Sequence, residues 1–516
     1  MIKDLNYRIS PAKDGNPTLI VQSGGKEIFL HSKMNPMKES ELSVFLPDPE
    51  KFDLLIILGC GLGYSFLKLK EDAGKFRRII IIDILYGIEN EIAKNQVTSF
   101  FVERKNIRFF SGMEINDIEK ELTQIIDFEE IKGMQVIEHL QSGRIFPAYY
   151  DEVRSSIKAI IDRKAGDKAT IKVFGNLFLR NALNNLNSIN NCLPVSAFEG
   201  KFRGRKAVIV SSAPSLEDNI ELLKSHSDDL YIIAVDSALP VLRCFGIKPD
   251  IVISIDPQGR IGEHFLGHEF MDILHIFSIV SPPVLVEKYR GYISLNSHPV
   301  SQIIDDMYPG ATGSIDSSTG SVAGDAFMFA IMAGFEYIVM TGFDFSFSQN
   351  IIYARETAYQ KRYSQYFNNR FKTAETFNGA YIFKSSGSLL VDGKYTRRSF
   401  IGYRNSLNSL IRDKNFNNIF MINRRGLPLS NVQVTDFDSF MKLESAVKEN
   451  KQNYLNEVRN SKVQKTINIK RIRERLSDEK ILGEFIRESL GAEADPEIKG
   501  KVISLIKGTS PGARGH

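Results

Sequence analysis

Lys206-Ala-Val-Ile-Val-Ser-Ser-Ala-Pro-Ser-Leu-Glu-Asp-Asn219 joins an unbroken apolar run to a cluster of small residues and then to a proline. The run from Ala207 to Val210 reads as a strand buried on both faces, as in a parallel sheet. Ser211, Ser212 and Ala213 make a tight turn. Pro214 suits the first turn of a helix, where its missing N–H costs nothing, and Ser215 offers a hydroxyl. A strand that empties through such a turn into a helix start presents outward N–H groups, which is an anion site. The same pattern is also an ordinary βα turn, so the neighbouring segments must decide.

Two more strands follow. Leu230 to Val235 ends in Asp236-Ser237, and after a helix from Pro240 to Phe245 the segment Gly246-Ile-Lys-Pro-Asp-Ile-Val-Ile-Ser-Ile-Asp-Pro257 ends in Asp256. Three consecutive strands thus deliver polar groups to their C-terminal ends, the edge of an open parallel sheet where ligands bind. Ser318, Thr319, Gly320 and Ser321 open an apolar helix ending near Ala333, either a second anion site or a plain Ser/Thr cap. The strand within Gly334–Phe345 ends in Thr341-Gly342 and Asp344. Ser346 to Lys394 is long, polar and aromatic, with Tyr353, Tyr359, Tyr363 and Tyr366, and reads as a lid or binding insertion. A helix from Thr396 to Arg412 and a strand from Ile419 to Asn423 follow. Arg424-Arg425 then meet a phosphate or carboxylate, or simply water. From Thr435 only amphipathic helical patterns remain.

Upstream, Thr18–Gln22 and Lys26–Leu30 flank Ser23-Gly24-Gly25 as a hairpin. His31 reads as a polar strand-end residue, with catalysis as the alternative. A helix follows through Glu41. Leu54-Leu-Ile-Ile-Leu-Gly-Cys-Gly-Leu-Gly-Tyr64 and Arg78-Ile-Ile-Ile-Ile-Asp83 form a βαβ unit with a glycine loop (Gly59, Gly61, Gly63) and a strand-end acid. The loop resembles that of class I methyltransferases, where Asp83 would take ribose hydroxyls. No methyl-transfer signature follows it, so a structural loop in a Rossmann-like domain is the competing reading. A strand from Ile107 to Phe110 and a helix from Met113 to Ile126 continue the pattern. Arg163–Lys168 is polar and marks the end of the first domain. In the helical stretch Thr170–Leu186, Phe178, Asn181, Asn184 and Asn185 share a face, suited to solvent or to a sugar.

The chain has 516 residues, 43% apolar and 25% charged, with net charge +4. That length supports two or three domains, and that charge excludes a nucleic-acid coat or a strongly membrane-seeking surface. Cys60, Cys192 and Cys244 lie far apart, without metal-ligand spacing, and fit reduced thiols. With no signal-like N-terminus and no apolar stretch long enough to span a bilayer, the expected location is the cytoplasm.

Leu30-His-Ser-Lys-Met-Asn-Pro36 with Glu39, Leu58–Tyr64, Val210-Ser-Ser-Ala-Pro-Ser-Leu216, Gly246–Asp250, Ile255-Asp-Pro257, Ser318-Thr-Gly320 and Gly342-Phe-Asp344 occur in this order. The set resembles the motility-associated factor glycosyltransferases, whose central domain is shared with 6-hydroxymethylpterin diphosphokinase-like proteins and is similar to bacterial sialyltransferases. The resemblance covers residues 28 to 430. It implies an α/β architecture of two Rossmann-like parallel-sheet domains plus a C-terminal helical region, divided as 1–165, 166–432 and 433–516. It also implies inverting transfer of a nonulosonic acid, pseudaminic or legionaminic, from a CMP-activated donor to Ser or Thr of flagellin. No further cofactor, no metal, no nucleic acid and no membrane span are expected. The donor phosphate would rest on the N–H groups of Ala213 to Leu216, Pro214 excepted, assisted by Ser212 and Ser215, with Ser211 and Pro214 also in the donor site and Ala213 replacing the usual glycine. Asp236, Ser237, Ser318, Thr319, Gly320, Ser321 and Gly342 would complete the donor site. Asp256 and Asp344 are the base candidates, and Tyr353 would assist departure of CMP. A pterin pyrophosphokinase and a non-catalytic flagellin-binding factor are the alternatives.

Overall fold

The computed structural model describes residues 5–23, 25–40, 48–126, 131–267, 272–296, 298–414, 416–422, 425–444, 447, 450–460 and 466–508. It divides into two compact units, Met1–Lys168 and Ala169–His516. Arg163–Lys168, read as a polar domain end, lies inside one continuous helix, Pro147–Asn185. A lone glycine there, Gly166, costs a helix only about 1 kcal/mol and does not break it.

The first unit opens with an antiparallel sheet of β1 (Tyr7–Pro11), β2 (Pro17–Ser23) and β3 (Lys26–Phe29). Gly24, in the turn between the last two, is outside the described residues, as is Glu41. A parallel sheet follows, with β4 (Leu54–Leu58), β5 (Arg78–Asp83), β6 (Ile107–Ser111) and β7 (Met134–Glu138) in the order β6-β5-β4-β7. The unbroken Leu/Ile runs of β4 and β5 occupy the centre, where both faces are covered. Sequence reading missed β7, whose Met-Gln-Val-Ile-Glu composition fits a half-covered edge.

The second unit is built on nine strands, all parallel. They are β8 (Leu193–Pro194), β9 (Lys206–Val210), β10 (Tyr231–Val235), β11 (Ile251–Ser254), β12 (Leu274–Ser278), β13 (Tyr292–Ser294) and β14 (Tyr337–Thr341). After two short hairpins, β15 (Asn368–Asn369) with β16 (Lys372–Thr373) and β17 (Ser388–Val391) with β18 (Lys394–Arg397), come β19 (Ile419–Ile422) and β20 (Gln433–Val434). The order is β20-β19-β14-β9-β10-β11-β12-β13-β8. Chain growth therefore reverses at β9, with β10 on one side and β14 on the other. Such a switch point leaves a crevice outside the strand ends. The turn 211–215 sits at that point.

Helices Lys451–Asn460, Ile469–Leu476, Glu479–Leu490 and Pro496–Lys507 form the C-terminal region. Leu455, Ile472, Phe485 and Ile506 on their apolar faces join the core of the sheet. The Lys451 ammonium reaches the buried Asp250 carboxylate at 3.0 Å and the Leu230 carbonyl at 2.9 Å, tying this region to the strand starts. Among the described residues, no helix is long and apolar enough to cross a membrane.

Candidate functional site

The turn after β9 is closed from within. Ala213 donates its N–H to the Gly342 carbonyl at 3.3 Å, and Leu216 to Ala213 at 3.0 Å. Ser215 donates its N–H to the Asp344 carboxylate at 3.1 Å. Pro214 has none to give, so the chain itself fills the anion hole expected at Ala213–Leu216. The Ala213, Ser215 and Leu216 N–H groups expected to hold the donor phosphate are thus spent within the chain, and Asp344, a base candidate, accepts one of them. Asp344 is 1% exposed, burial pushes its carboxyl up, and the Ser215 and Ser348 side chains pull it back. Gly342 is required here: its φ is +73°, and a Cβ would lie 2.2 Å from the Ser211 carbonyl oxygen. Ala213 costs nothing, because its φ and ψ of −72° and 159° are extended.

Between this turn and the end of the next strand, polar groups, most of them buried, bond one another. The Ser212 and Ser237 hydroxyls share a hydrogen bond of 2.8 Å. Asp236, at the end of β10, accepts from the Ser254 hydroxyl at 2.8 Å and the Ser237 N–H at 2.6 Å. Burial, reinforced by Asp256 and opposed by Ser254, pushes its pKa up to about 7. Asp256, beyond β11, is half-buried and accepts the Gln258 N–H at 2.8 Å. Burial raises it too, while Gln258 and Arg260 hold it down.

The strain at Asp236 has a measurable sign. A carboxyl whose folded pKa lies above its unfolded value favours the fold below about pH 4 and loses that contribution as pH rises towards 7. Asp236→Asn mimics the protonated acid. It is expected to leave stability unchanged at pH 4 and raise it by up to about 4 kcal/mol at pH 8 in urea titrations. Equal effects at both pH values would show that the carboxyl is not strained.

The helix Val322–Ala333 begins just after the Ser318–Ser321 turn. Ser321 caps it, its hydroxyl accepting the Gly324 N–H at 3.1 Å and its carbonyl the Asp325 N–H at 3.0 Å. The Val322 and Ala323 N–H groups precede any intrahelical acceptor. Ser318 and Gly320 are exposed beside them, while Thr319 is buried. Beneath, Ser317 donates to the buried Asp325 at 2.6 Å, and burial pushes that carboxyl up to about 8. Burial thus disfavours a negative charge on Asp325 beneath the helix end.

The insertion after Asp344 lies against this same edge. Ala354 donates its N–H to the Ser212 carbonyl at 3.0 Å, and Arg355 pairs with Glu217. Tyr353, expected to assist departure of CMP, lies in the insertion's own aromatic cluster. Its ring stacks on Tyr359 at 4.6 Å, against a small apolar core that includes Phe347, Ile352 and Ile382. Nothing in sequence distinguishes Tyr359, its stacking partner, among four tyrosines. Burial and the charges of Asp236 and Asp256 push its hydroxyl up to about 12. Tyr403 also feels Asp256, and its ring lies 3.5 Å from where a Cβ on Gly320 would stand. Asp256 thus lies within electrostatic reach of two tyrosines, one of them beside the helix end.

Of the amide face, Asn181 and Asn185 are buried against backbone carbonyls. Asn181 donates to the Pro257 and Val280 carbonyls, both at 2.9 Å, and Asn185 to Ile279 and Ser281 at 2.7 and 2.8 Å. These bonds clamp the turns beyond β11 and β12. Arg425 meets a carboxylate, that of Asp218 at 2.8 Å, and Arg424 is outside the described residues.

In the first unit, the glycine loop is also spent internally. Asp83, 1% exposed, accepts the Cys60 and Gly61 N–H groups at 2.8 and 3.1 Å and the Leu85 N–H at 3.0 Å. His31 Nε2 accepts the Leu62 N–H at 2.8 Å, which leaves the proton on Nδ1 to bond Glu39 at 2.7 Å. His31, Glu39 and His139 lie close enough to hold a metal ion. Both nitrogens of His31 are committed in this tautomer, so it has no lone pair to offer one.

Residues 180–350 match the family model described as 6-hydroxymethylpterin diphosphokinase MptE-like. The solved structure of a MAf glycosyltransferase from Magnetospirillum magneticum AMB-1 shares the fold over 98% of this chain and 90% of that one. The TM-score is 0.57 and the sequence identity 14%. Both findings agree with the resemblance read from the ordered motifs. Two proteins of Treponema pallidum (strain Nichols), both described as uncharacterized, are 33% identical over 129 residues and 26% identical over 211. The chain spans 60% and 44% of their lengths.

Proposed function

We propose that this chain is a glycosyltransferase that moves a nonulosonic acid from a CMP-activated donor to a Ser or Thr hydroxyl of flagellin, with inversion. One observation carries the reading most: Asp236 and Asp256 end adjacent strands beside the switch point, within electrostatic reach of Tyr359 and, for Asp256, Tyr403. The MAf-like fold and the ordered motifs support it. The helix end at Ser318–Ala323 receives the donor's anionic groups, since the N–H groups of the turn at Ala213–Leu216 are taken by Gly342, Asp344 and Ala213. Asp236 and Ser237 hold ribose or sugar hydroxyls. Asp256 takes the acceptor hydroxyl's proton as its oxygen bonds the anomeric carbon and the carbon–oxygen bond to phosphate breaks. The bonding electrons leave with CMP, whose charge the helix end and nearby hydroxyls stabilise.

Calorimetric titration with CMP, ATP and S-adenosylmethionine tests this. CMP is expected to bind and the other two are not. The absence of CMP binding by the folded protein would sink the proposal. The MptE-like match favours a pyrophosphokinase as second reading, and ATP-dependent diphosphate transfer to a pterin would establish it.

A further inference from the structure

Residues 346–397 have two unlike faces. The inner one is bonded to the site edge: Arg355 pairs with Glu217, Arg362 with Glu263, and Tyr359 packs edge-on against His264 at 4.9 Å. The outer one carries apolar side chains in water. Phe371 is 84% exposed, Tyr366 74% and Leu390 63%. Leu390 pairs directly with Tyr395 across the β17–β18 ladder, and Tyr395 packs edge-on against exposed Phe383 at 4.8 Å. Leu390, Tyr395 and Phe383 thus form one patch, while Tyr366 and Phe371 sit at and just beyond the end of helix Ala358–Tyr366.

Charge separates the faces further. The segment holds eight Lys and Arg against three Asp and Glu, in a chain of net charge +4. Arg355 and Arg362 are spent on the body of the unit. Arg370, Lys372 and Lys384 stand exposed next to Phe371 and Phe383, with no carboxylate in ion-pair range among the described residues. Apolar surface rimmed by unpaired cations is complementary to a protein segment that presents aliphatic or aromatic side chains among carboxylates. Three cations are too few to track a nucleic-acid backbone, whose binding scales with the phosphates neutralised.

We propose that this outer face docks the polypeptide acceptor, holding an acidic, apolar-bearing segment while the inner face closes the transfer site. The inference rests on the acceptor being a protein, as in the function proposed above.

Two double variants test it, F371S/L390S and R370E/K372E, none of these residues belonging to the transfer site. Purified flagellin is the probe in interferometry at 50 and 300 mM salt, and CMP calorimetry is run on the same samples. Both variants are expected to weaken flagellin at least about tenfold, with CMP affinity unchanged and wild-type binding weaker at high salt. Flagellin affinities within twofold of wild type would overturn the inference. So would a wild type that binds CMP but not flagellin, or variants that lose affinity for phosphatidylglycerol vesicles or a dT20 oligonucleotide instead. If the wild type binds flagellin through this face but takes no CMP, the docking face stands and the transferase reading falls.

Discussion

Asp256→Asn is expected to lower turnover by about 10²–10⁴-fold while leaving CMP affinity within a few-fold of wild type. Asp256 is half-buried, and burial raises its carboxyl, which suits the proton-accepting role proposed for it. Asn keeps an oxygen to accept the Gln258 N–H, so the loop beyond β11 retains its shape. Only the basic electron pair is lost. Transfer assayed by mass increase of flagellin at saturating donor isolates that loss. Asp344→Asn provides the contrast. Asp344 is sealed beneath the turn and holds the Ser215 N–H. Its replacement is expected to act on stability, not on the pH profile of turnover. If Asp256→Asn retained full turnover and Asp344→Asn lost it, the roles would be reversed and the turn would have to open during the reaction.

The sheet was legible where strands are wholly buried. Lys206–Val210, Tyr231–Val235 and Tyr337–Thr341 are apolar runs bounded by turn residues, and central parallel strands demand that composition. Tyr292–Ser294 was not legible, because three residues show no period. The candidate site was legible as a sheet edge but not as an occupancy. Sequence places Ser215, Asp236, Asp256 and Asp344 at neighbouring strand ends. It does not say that one carboxylate, Asp344, turns back onto the Ser215 N–H of its neighbour's loop while Asp256 faces the insertion. That choice depends on contacts between segments more than a hundred residues apart. The same limit explains Tyr353 and Tyr359, six positions apart in one aromatic segment, of which only the second feels both acids. Asn181 and Asn185 were legible as a face, and their targets, carbonyls about 76 to 99 residues away, were not.

Asp83→Ala is expected to destabilise the first unit by about 3 kcal/mol or more, with Asp83→Asn intermediate. The carboxylate satisfies three buried N–H groups, of Cys60, Gly61 and Leu85. Stranding a buried donor costs about 1–3 kcal/mol each, before any relaxation. Relaxation is limited on the other side of the loop. Gly61 has a φ of +52°, and a Cβ there would stand 2.4 Å from His31 Nε2, so the loop is wedged between His31 and Asp83. In a dinucleotide or S-adenosylmethionine site the glycine loop leaves its N–H groups and the strand-end acid to the ligand. Here the protein's own carboxylate and imidazole have taken them. Urea denaturation of the wild type and both variants, beside S-adenosylmethionine titration of the wild type, separates the cases. A structural loop gives the graded loss of stability and no binding. Binding by the wild type, abolished in Asp83→Ala with stability intact, would mean that the loop opens to a ligand and that the first unit carries chemistry of its own.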